Sequence, residues 1–327
     1  MPIEADQVQS GGVTLLIIDP QNDFHPGEEN TLSVPNADYD TERVVTLIRE
    51  SISSSSFAIN RIVVTLDSHH KFHIANPTFW VDKNGAHPPP FTNIRCSDVE
   101  SGIWRPRADL KLPIGPDLVD LDILGASTTG TTTGTHKHEE NKVIYNKKAD
   151  GSASLDILAY CIEYTRALEK SGKFTLVIWP EHCIIGTKGH CVVDTLNHAL
   201  SEWNAATGTS IEYVHKGENI LTEMYSALRA EVPISKETQL NRQLFDSLNQ
   251  SDRIIVCGQA LSHCVNYTVR DLMNNMSSEE KRKVILLEDC SSTVPFFEKD
   301  ADEFLQFVKD GGGTVMKGEQ CLRLMKN

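Results

Sequence analysis

One cysteine near the end of the chain stands where a thiol could act as a nucleophile. Cys264 lies in the segment VCGQALSHCVNYTV, in which an apolar strand is predicted to end at Gly258 and a helix to begin close to Cys264. The N-terminus of a helix offers free N–H groups and the positive end of the backbone dipole, which favour a thiolate and can hold a developing oxyanion. The alternative is that Cys264 is a small buried apolar side chain, which is the more common use of a cysteine.

Two charged residues that follow other apolar strands could activate this thiol. Asp19 ends the run LLIID, and it is our candidate for the group that accepts the Cys264 proton. Lys216, which ends IEYVHK, could pair with Asp19 and lower the pKa of Cys264. A carboxylate in this position also commonly caps a loop or helix, and a lysine commonly lies on the surface, so neither residue alone identifies a site.

A carboxylate and several imidazoles form a second candidate site. Asp67, His69 and His73 follow a predicted strand in the segment DSHHKFH, and His182 lies in WPEHC. Carboxylate and imidazole ligands suit zinc, manganese, iron or nickel, and two or three protein ligands leave positions open for water or substrate. Because histidines in a row also occur as ordinary loop residues, the spacing alone leaves both interpretations open.

The elements that must position these groups form an alternating pattern. Short apolar runs separated by amphipathic segments predict an α/β fold of three α/β/α layers, with a parallel, doubly wound sheet of about six strands. In such a sheet, active-site groups gather at the carboxyl ends of the strands, where Asp19, Asp67, Lys216 and Gly258 are predicted to lie. The predicted strands are 13–19, 61–66, 174–179, 211–214, 253–258, 283–288 and 314–316, and the predicted helices are 38–54, 152–171, 190–205, 236–250, 262–276 and 297–309.

The alternation is interrupted by a long insertion after the second strand, at about 71–150. Proline-rich sequence and the Thr/Gly tract Ser127 to Thr135 predict irregular structure there, with His136 and His138 in a solvated loop. Its aromatic residues indicate packing over the main domain, as a lid or an oligomer contact. They are Phe72, Phe79, Trp80, Phe91 and Trp104. We therefore expect a single domain over 1–327 that carries this insertion.

Composition restricts the partners. The 327 residues carry a formal charge of -14, which disfavours an unaided nucleic-acid or anionic-membrane surface and favours a diffusible small molecule. No apolar run reaches the roughly 20 residues of a membrane span. Eight scattered cysteines without a C-x-x-C pair, and an N-terminus without a secretory signal, predict reduced thiols and a cytoplasmic location.

Five segments in order resemble the nicotinamidase branch of the isochorismatase-like cysteine hydrolases. They are LLIIDPQNDFHPG with NTLSVPNAD, VVTLDSHH, WPEHCIIGTKG, HKGENILTEMYSAL and GQALSHCV, and they cover roughly 12–70 and 174–316. The resemblance implies a catalytic triad of Asp19, Lys216 and Cys264. It also implies a cis peptide between Gln259 and Ala260, with the N–H groups of Ala260 and Cys264 forming an oxyanion hole.

The same resemblance assigns the remaining site residues. Asp67, His69 and His182 correspond to metal ligands, zinc being the expected ion, and no organic cofactor is implied. Phe24 and Trp179 correspond to aromatic walls that hold a pyridine ring, and stacking on a flat heterocycle gives them a physical role. The superfamily analogy also predicts a homo-oligomer.

The sequence departs from the family pattern at several positions. Where a fourth metal-site histidine is common, this chain has Ala75, and His73 is the tentative substitute. The long insertion and the changed nucleophile turn leave the substrate open. Nicotinamide is the leading candidate, with N-carbamoyl or ureido compounds, or another substrate of the superfamily such as isochorismate, as alternatives. A non-catalytic scaffold is a further alternative.

Overall fold

The fold follows from alternating strands and helices, as the sequence predicts. The computed structural model describes residues 11–54, 58–110, 119, 145–147, 153–172 and 174–326. Its strands are β1 (Val13–Ile18), β2 (Arg61–Asp67), β3 (Trp80–Val81), β4 (Asn93–Ile94), β5 (Arg105–Pro106), β6 (Tyr145–Lys147), β7 (Ala153–Leu155), β8 (Leu176–Val177), β9 (Glu212–Lys216), β10 (Arg253–Gly258), β11 (Val284–Leu287) and β12 (Thr314–Met316). Its helices are α1 (Ala37–Ser53), α2 (Cys96–Glu100), α3 (Ile157–Ser171), α4 (Asp194–Thr207), α5 (Arg242–Asn249), α6 (Cys264–Asn274), α7 (Glu298–Asp310) and α8 (Gly318–Lys326).

The central sheet has six parallel strands in the order β12-β11-β10-β1-β2-β9. From β1 the chain passes outward to β2, and it later returns to the other side of β1 to form β10, so the strand order reverses between β1 and β10. In doubly wound sheets the crevice outside such a reversal is the common position of a ligand site. The predicted fold class is confirmed.

Both faces of the sheet are covered because its strands are apolar on both sides. Leu16 and Ile18 of β1 pack into one core cluster, which includes residues of α3, α5, α6 and α7. Leu15 and Ile17 point to the opposite face, where the second cluster includes residues of α1, α4 and α8. This two-sided burial explains why β1 is a continuous apolar run rather than an alternating one.

One predicted strand is wrong as a member of the central sheet. The run 174–179 forms only the short strand β8, which pairs antiparallel with β4 of the insertion. The central sheet has no room for it beside β2, because β9 takes that place and pairs Asp67 with Lys216. Its apolar residues are buried against the insertion instead.

Several helix boundaries also differ from the prediction. The segment 152–171 begins as the strand β7, and the helix starts only at Ile157, where the side chain of Asp156 accepts a hydrogen bond from the Ala159 N–H as an N-cap. In 236–250 a short 3-10 turn precedes α5, which starts at Arg242. The C-terminal helix α8 was not predicted.

The described part of the insertion packs on the main domain. Phe79 and Trp80 are fully buried in the same core cluster as α3 and α6, and Trp80 Nε1 donates to Ile74 O at 2.6 Å. The tract Ser127 to Thr135, together with His136 and His138, lies outside the described residues. Within the described ranges, no helix is both long and apolar enough to cross a membrane.

Candidate active site

The predicted catalytic side chains meet at the carboxyl edge of the sheet. Asp19 follows β1, Lys216 is the last residue of β9, and Cys264 is the first residue of α6, one turn of chain after β10. The side chains of Asp19 and Lys216 are fully buried, and Cys264 is 5% exposed. The three residues that the sequence placed at separate strand ends therefore form one buried group.

Lys216 is the centre of this group. Its Nζ donates to Asp67 Oδ1 at 3.0 Å, to Met224 O at 3.3 Å and to Cys264 Sγ at 3.5 Å. It also lies 2.9 Å from Asp19 Oδ2, as an ion pair. A carboxylate oxygen offers more than one acceptor position, so Asp19 Oδ2 can accept a proton while it stays paired with Lys216. A carboxylate oxygen of Asp19 lies within 4.8 Å of Cys264 Sγ.

Burial and charge set the protonation states of the group in opposite directions. Burial opposes a charged Lys216, but the carboxylates of Asp19 and Asp67 together raise its pKa well above the usual range. Burial raises the pKa of Cys264 well above its usual range, although Lys216 acts in the opposite direction. Burial also raises the pKa of Asp19, again against Lys216. Lys216 thus acts on the pKa of Cys264 in the direction that the sequence predicts, but burial outweighs it.

The turn before Cys264 has the backbone that the resemblance implies. The Gln259–Ala260 peptide is cis, as predicted. Gly258 has φ +115°, and a Cβ there would lie 2.1 Å from Ile18 O, so only glycine fits between β10 and β1. Among the described residues, no acceptor is recorded for the N–H groups of Ala260 and Cys264. Both donors are thus available to a ligand.

The predicted metal ligands are also brought together. Ligand atoms of Asp67, His69 and His182 all lie within 4.8 Å of one another, and all three residues are buried. Asp67 Oδ2 is 3.1 Å from His69 Nε2 and 3.3 Å from His182 Nε2. Gly217 allows this approach, because a Cβ there would lie 2.8 Å from His69 Cε1. One carboxylate and two imidazoles that converge in a buried space are a donor set that fits a divalent transition metal.

His73 is not brought into this group. Its Nε2 donates to Thr222 O at 3.2 Å, and its Nδ1 accepts the Ala75 N–H at 3.2 Å. Its ring packs against His69, with 4.7 Å between centroids. Both ring nitrogens of His73 already have backbone partners, so His73 is not placed as a fourth metal ligand. It packs against the ring of His69 instead.

A small cavity lies between the Cys264 thiol and the candidate metal cluster of Asp67, His69 and His182. It has a volume of about 20 Å³ and its lining includes both predicted aromatic walls, Phe24 and Trp179. Trp179 Nε1 donates to Tyr225 Oη at 2.9 Å, which fixes the plane of the indole. The remaining lining residues are Leu32, Asp67, His182, Glu223, Tyr225, Ala260, His263, Cys264 and Val294.

Three residues of the site were missed from the sequence. Gln21 joins β1 to β2, since its side chain accepts from Asp67 N–H at 2.7 Å and donates to Asp67 O at 2.7 Å. Glu223 places a buried carboxylate in the cavity wall, and His263 packs edge-on against Trp179. The signal for Gln21 and His263 was their position next to Asp19 and Cys264; Glu223 follows Lys216 in a segment with no periodic pattern.

The fold is that of the nicotinamidase and pyrazinamidase class of hydrolases. A nicotinamidase/pyrazinamidase of Acinetobacter baumanii superimposes with a TM-score of 0.55 at 18% identity, covering 96% of this chain and 99% of that chain. The yeast nicotinamidase bound to the inhibitor nicotinaldehyde gives 0.54 at 17% identity, covering 94% and 100%. The resemblance drawn from the motifs is thus confirmed by the fold.

The sequence match is more local. The nicotinamidase of Escherichia coli (strain K12) is 33% identical over 95 residues, which are 29% of this chain and 39% of that protein. No family model matches the chain. The chain therefore shares a complete fold with the nicotinamidases but detectable sequence with less than half of this curated relative.

Proposed function

We propose that the protein is a cysteine-dependent hydrolase of a small-molecule amide, and that nicotinamide is its substrate, converted to nicotinate and ammonia. The observation that carries the proposal is the buried contact of Lys216 with Cys264 Sγ at 3.5 Å and with Asp19 Oδ2 at 2.9 Å. A nucleophile, a proton acceptor and a cation in one dry group suit covalent amide hydrolysis. The nicotinamidase fold and the local sequence match support the choice of substrate.

The first half of the reaction forms a thioester. Asp19 takes the proton from Cys264 as the sulfur attacks the carbonyl carbon, because burial raises the pKa of Cys264 and disfavours a free thiolate. The N–H groups of Ala260 and Cys264 would donate to the oxygen that becomes negative. Asp19 then gives its proton to the amide nitrogen, the C–N bond breaks and ammonia leaves.

The second half releases the acid. Asp19 removes a proton from a water molecule, which attacks the thioester carbon, and the C–S bond breaks. The sulfur takes the proton back from Asp19, so that the group returns to its starting state. Lys216 stays charged throughout and balances the negative charge that moves between Asp19 and Cys264.

Asp67, His69 and His182 would hold a divalent metal, which we propose to be zinc in preference to manganese, iron or nickel. When bound, such an ion supplies a Lewis acid that can orient a ring nitrogen or a water. Phe24 and Trp179 would hold the flat ring of the substrate between them. The cytoplasmic location and the homo-oligomer stay predictions, the second of which light scattering on the purified protein can test.

Ammonia release from nicotinamide, pyrazinamide and N-carbamoyl amino acids tests the proposal. We expect release from nicotinamide, loss of at least about 10³-fold in Cys264→Ala, and unchanged activity in Cys191→Ala, in which the cysteine removed is exposed. Full activity of a folded Cys264→Ala would exclude the cysteine mechanism. Release only from the N-carbamoyl compounds would retain the mechanism and replace the substrate.

A further inference from the structure

One carboxylate in the wall of the catalytic cavity has no part in the mechanism described above. Glu223 lies on the connection that follows β9, is only 2% exposed, and lines the cavity together with Ala260 and Cys264. Its backbone is fixed on both sides. The Glu223 N–H donates to Tyr164 Oη at 2.9 Å, and the Glu223 carbonyl oxygen accepts the Glu231 N–H at 3.0 Å. The carboxylate is therefore held at the cavity wall.

The two oxygens of this carboxylate have different surroundings. Oε1 accepts the N–H group of Met224 at 2.9 Å. Among the described residues no donor is recorded for Oε2, and this oxygen is not enclosed by protein on every side. Because Glu223 has so little exposed surface and lines the cavity, Oε2 is the oxygen that faces it.

Within the described ranges, no ion pair reaches the Glu223 carboxylate. Lys216, the buried ammonium group of the site, pairs with Asp19 and Asp67 instead. Buried carboxylate oxygens are normally hydrogen-bonded or paired, because burial without a partner is unfavourable. A ligand that brings an N–H group to Oε2 would supply the missing donor.

Other acceptors in the cavity wall already have partners. Asp67 is paired through both oxygens, with Lys216 on one side and two imidazoles on the other. Tyr225 Oη accepts the Nε1–H of Trp179. Glu223 Oε2 is thus the carboxylate oxygen of the wall that is left for a ligand.

We propose that Glu223 is a specificity-determining residue, whose Oε2 accepts an N–H group of the substrate carboxamide; this inference rests on the proposed amide hydrolysis. Because the cavity has a volume of only about 20 Å³, a group that contacts Cys264 in it also lies against Glu223. The N–H groups of Ala260 and Cys264 would hold the carbonyl oxygen of the amide. Glu223 would recognise its NH₂ group, which an ester lacks.

Glu223→Gln would reverse the polarity of this contact. Glutamine has a single side-chain oxygen, and the Met224 N–H occupies the position of that oxygen, so the glutamine NH₂ group would face the cavity. A donor would then meet the N–H groups of an amide, whereas a methyl ester offers only oxygen acceptors there. The amide and the ester of the same acid should therefore respond differently to the substitution.

Formation of nicotinate from nicotinamide and from methyl nicotinate, followed by liquid chromatography, tests the inference. In Glu223→Gln we expect kcat/KM for the amide to fall by about 10- to 100-fold, and kcat/KM for the ester to change by less than about 3-fold. The control Glu237→Gln removes an exposed carboxylate of the same connection and should alter neither rate. Glu223→Asp keeps an acceptor at the wall, so its amide-to-ester ratio should stay within about 3-fold of the wild type.

The ratio of the two rates separates recognition from a general loss of structure. An equal fall of both rates in Glu223→Gln, or a fall of neither, would overturn the inference while amide hydrolysis by the wild type still stands. A wild type that hydrolyses the ester but no amide would count against the proposed function, and against this inference with it. Should Glu223→Gln fail to fold, Glu223→Asp decides, and a ratio lowered by about 10-fold or more in that variant would contradict the role of Glu223.

Discussion

Lys216 Nζ lies 3.0 Å from Asp67 Oδ1, while the other oxygen of the same carboxylate faces His69 and His182. Asp67 therefore belongs both to the candidate metal cluster and to the ion pair next to the Cys264 thiol. Because Lys216 also touches Cys264, one ammonium group contacts both the candidate metal cluster and the thiol. A change at one of these places alters the electrostatic balance at the other.

Replacing the central cation should cost both stability and activity. In Lys216→Met the carboxylates of Asp19 and Asp67 lose their shared partner in a buried space, so we expect the free energy of unfolding to fall by about 3–5 kcal/mol. Amide hydrolysis should be lost as well. Urea unfolding measures the first effect and ammonia release the second.

The matched control is Lys71→Met. That side chain is 72% exposed and lies 3.4 Å from Glu181, so its loss should cost about 1 kcal/mol or less. Equal destabilisation by the two substitutions would contradict the central role of Lys216.

The acid limb of the pH–rate profile should depend on Thr65. Thr65 Oγ1 donates to Asp19 Oδ1 at 2.5 Å, and this bond lowers the pKa of Asp19, which burial raises. Since the mechanism needs Asp19 ionised, kcat/KM should fall on the acid side at a pH above the ordinary carboxyl value of 3.8. In Thr65→Val the limb should move to still higher pH.

Thr46→Val, at an exposed position of α1, should leave the profile in place. A limb that stays put in Thr65→Val, or moves to lower pH, would argue against Asp19 as the proton acceptor.

These strand-end groups are the part of the molecule that the sequence predicts best. Asp19, Lys216 and Cys264 each follow a short apolar run, and parallel strands that are buried on both faces must bring their carboxyl ends to one edge. The pattern therefore predicted that these three side chains lie together, without knowledge of the strand order. The cis peptide after Gln259 came from the resemblance alone.

Long-range packing accounts for what the sequence could not predict. The run 174–179 has the composition of a central strand, but the place beside β2 goes to β9, whose register sets Asp67 opposite Lys216. Likewise, the low pKa expected for Cys264 from a helix N-terminus and a lysine was outweighed by burial, which depends on every element that covers the site. Neither the exclusion of 174–179 from the central sheet nor the burial of Cys264 can be deduced from the residues that adjoin it in the sequence.

Asp40 should make the stability of the fold depend on pH. Burial raises its pKa, and Gln259 Nε2 donates to its Oδ2 at 2.9 Å. A carboxyl whose pKa is raised on folding stabilises the fold below its ordinary value of 3.8, and this contribution is lost as the pH rises through the folded-state pKa. In Asp40→Asn nothing titrates there, so the variant should gain stability relative to the wild type across that interval, measured by urea unfolding at a series of pH values.

Asp82→Asn supplies a control of opposite sign. Hydrogen bonds from the backbone N–H groups of Ala86 and Asn84 lower the pKa of Asp82, so its contribution is present above 3.8 and is lost as the pH falls. If the free energy of unfolding changed with pH in the same way in the wild type and in Asp40→Asn, the pKa of Asp40 would be the same in the folded and unfolded states.

Binding of a metal at the buried cluster should raise the thermal unfolding temperature. At 100 times the dissociation constant, an ion that binds only the folded chain adds about 2.7 kcal/mol. Added Zn²⁺ should therefore stabilise the wild type, and His69→Asn should lose most of this effect. His70→Asn changes the exposed neighbour and should behave as the wild type. If both variants lost the Zn²⁺-dependent rise in unfolding temperature equally, the stabilisation would not come from binding at this cluster.

The cavity between Cys264 and the metal cluster holds only about 20 Å³, whereas a single water needs roughly 10–15 Å³ of such volume. Leu32 and Val294 line this cavity from two loops, beside the aromatic side chains of Phe24 and Trp179. Whatever ligand occupies the space must therefore fit against these apolar walls.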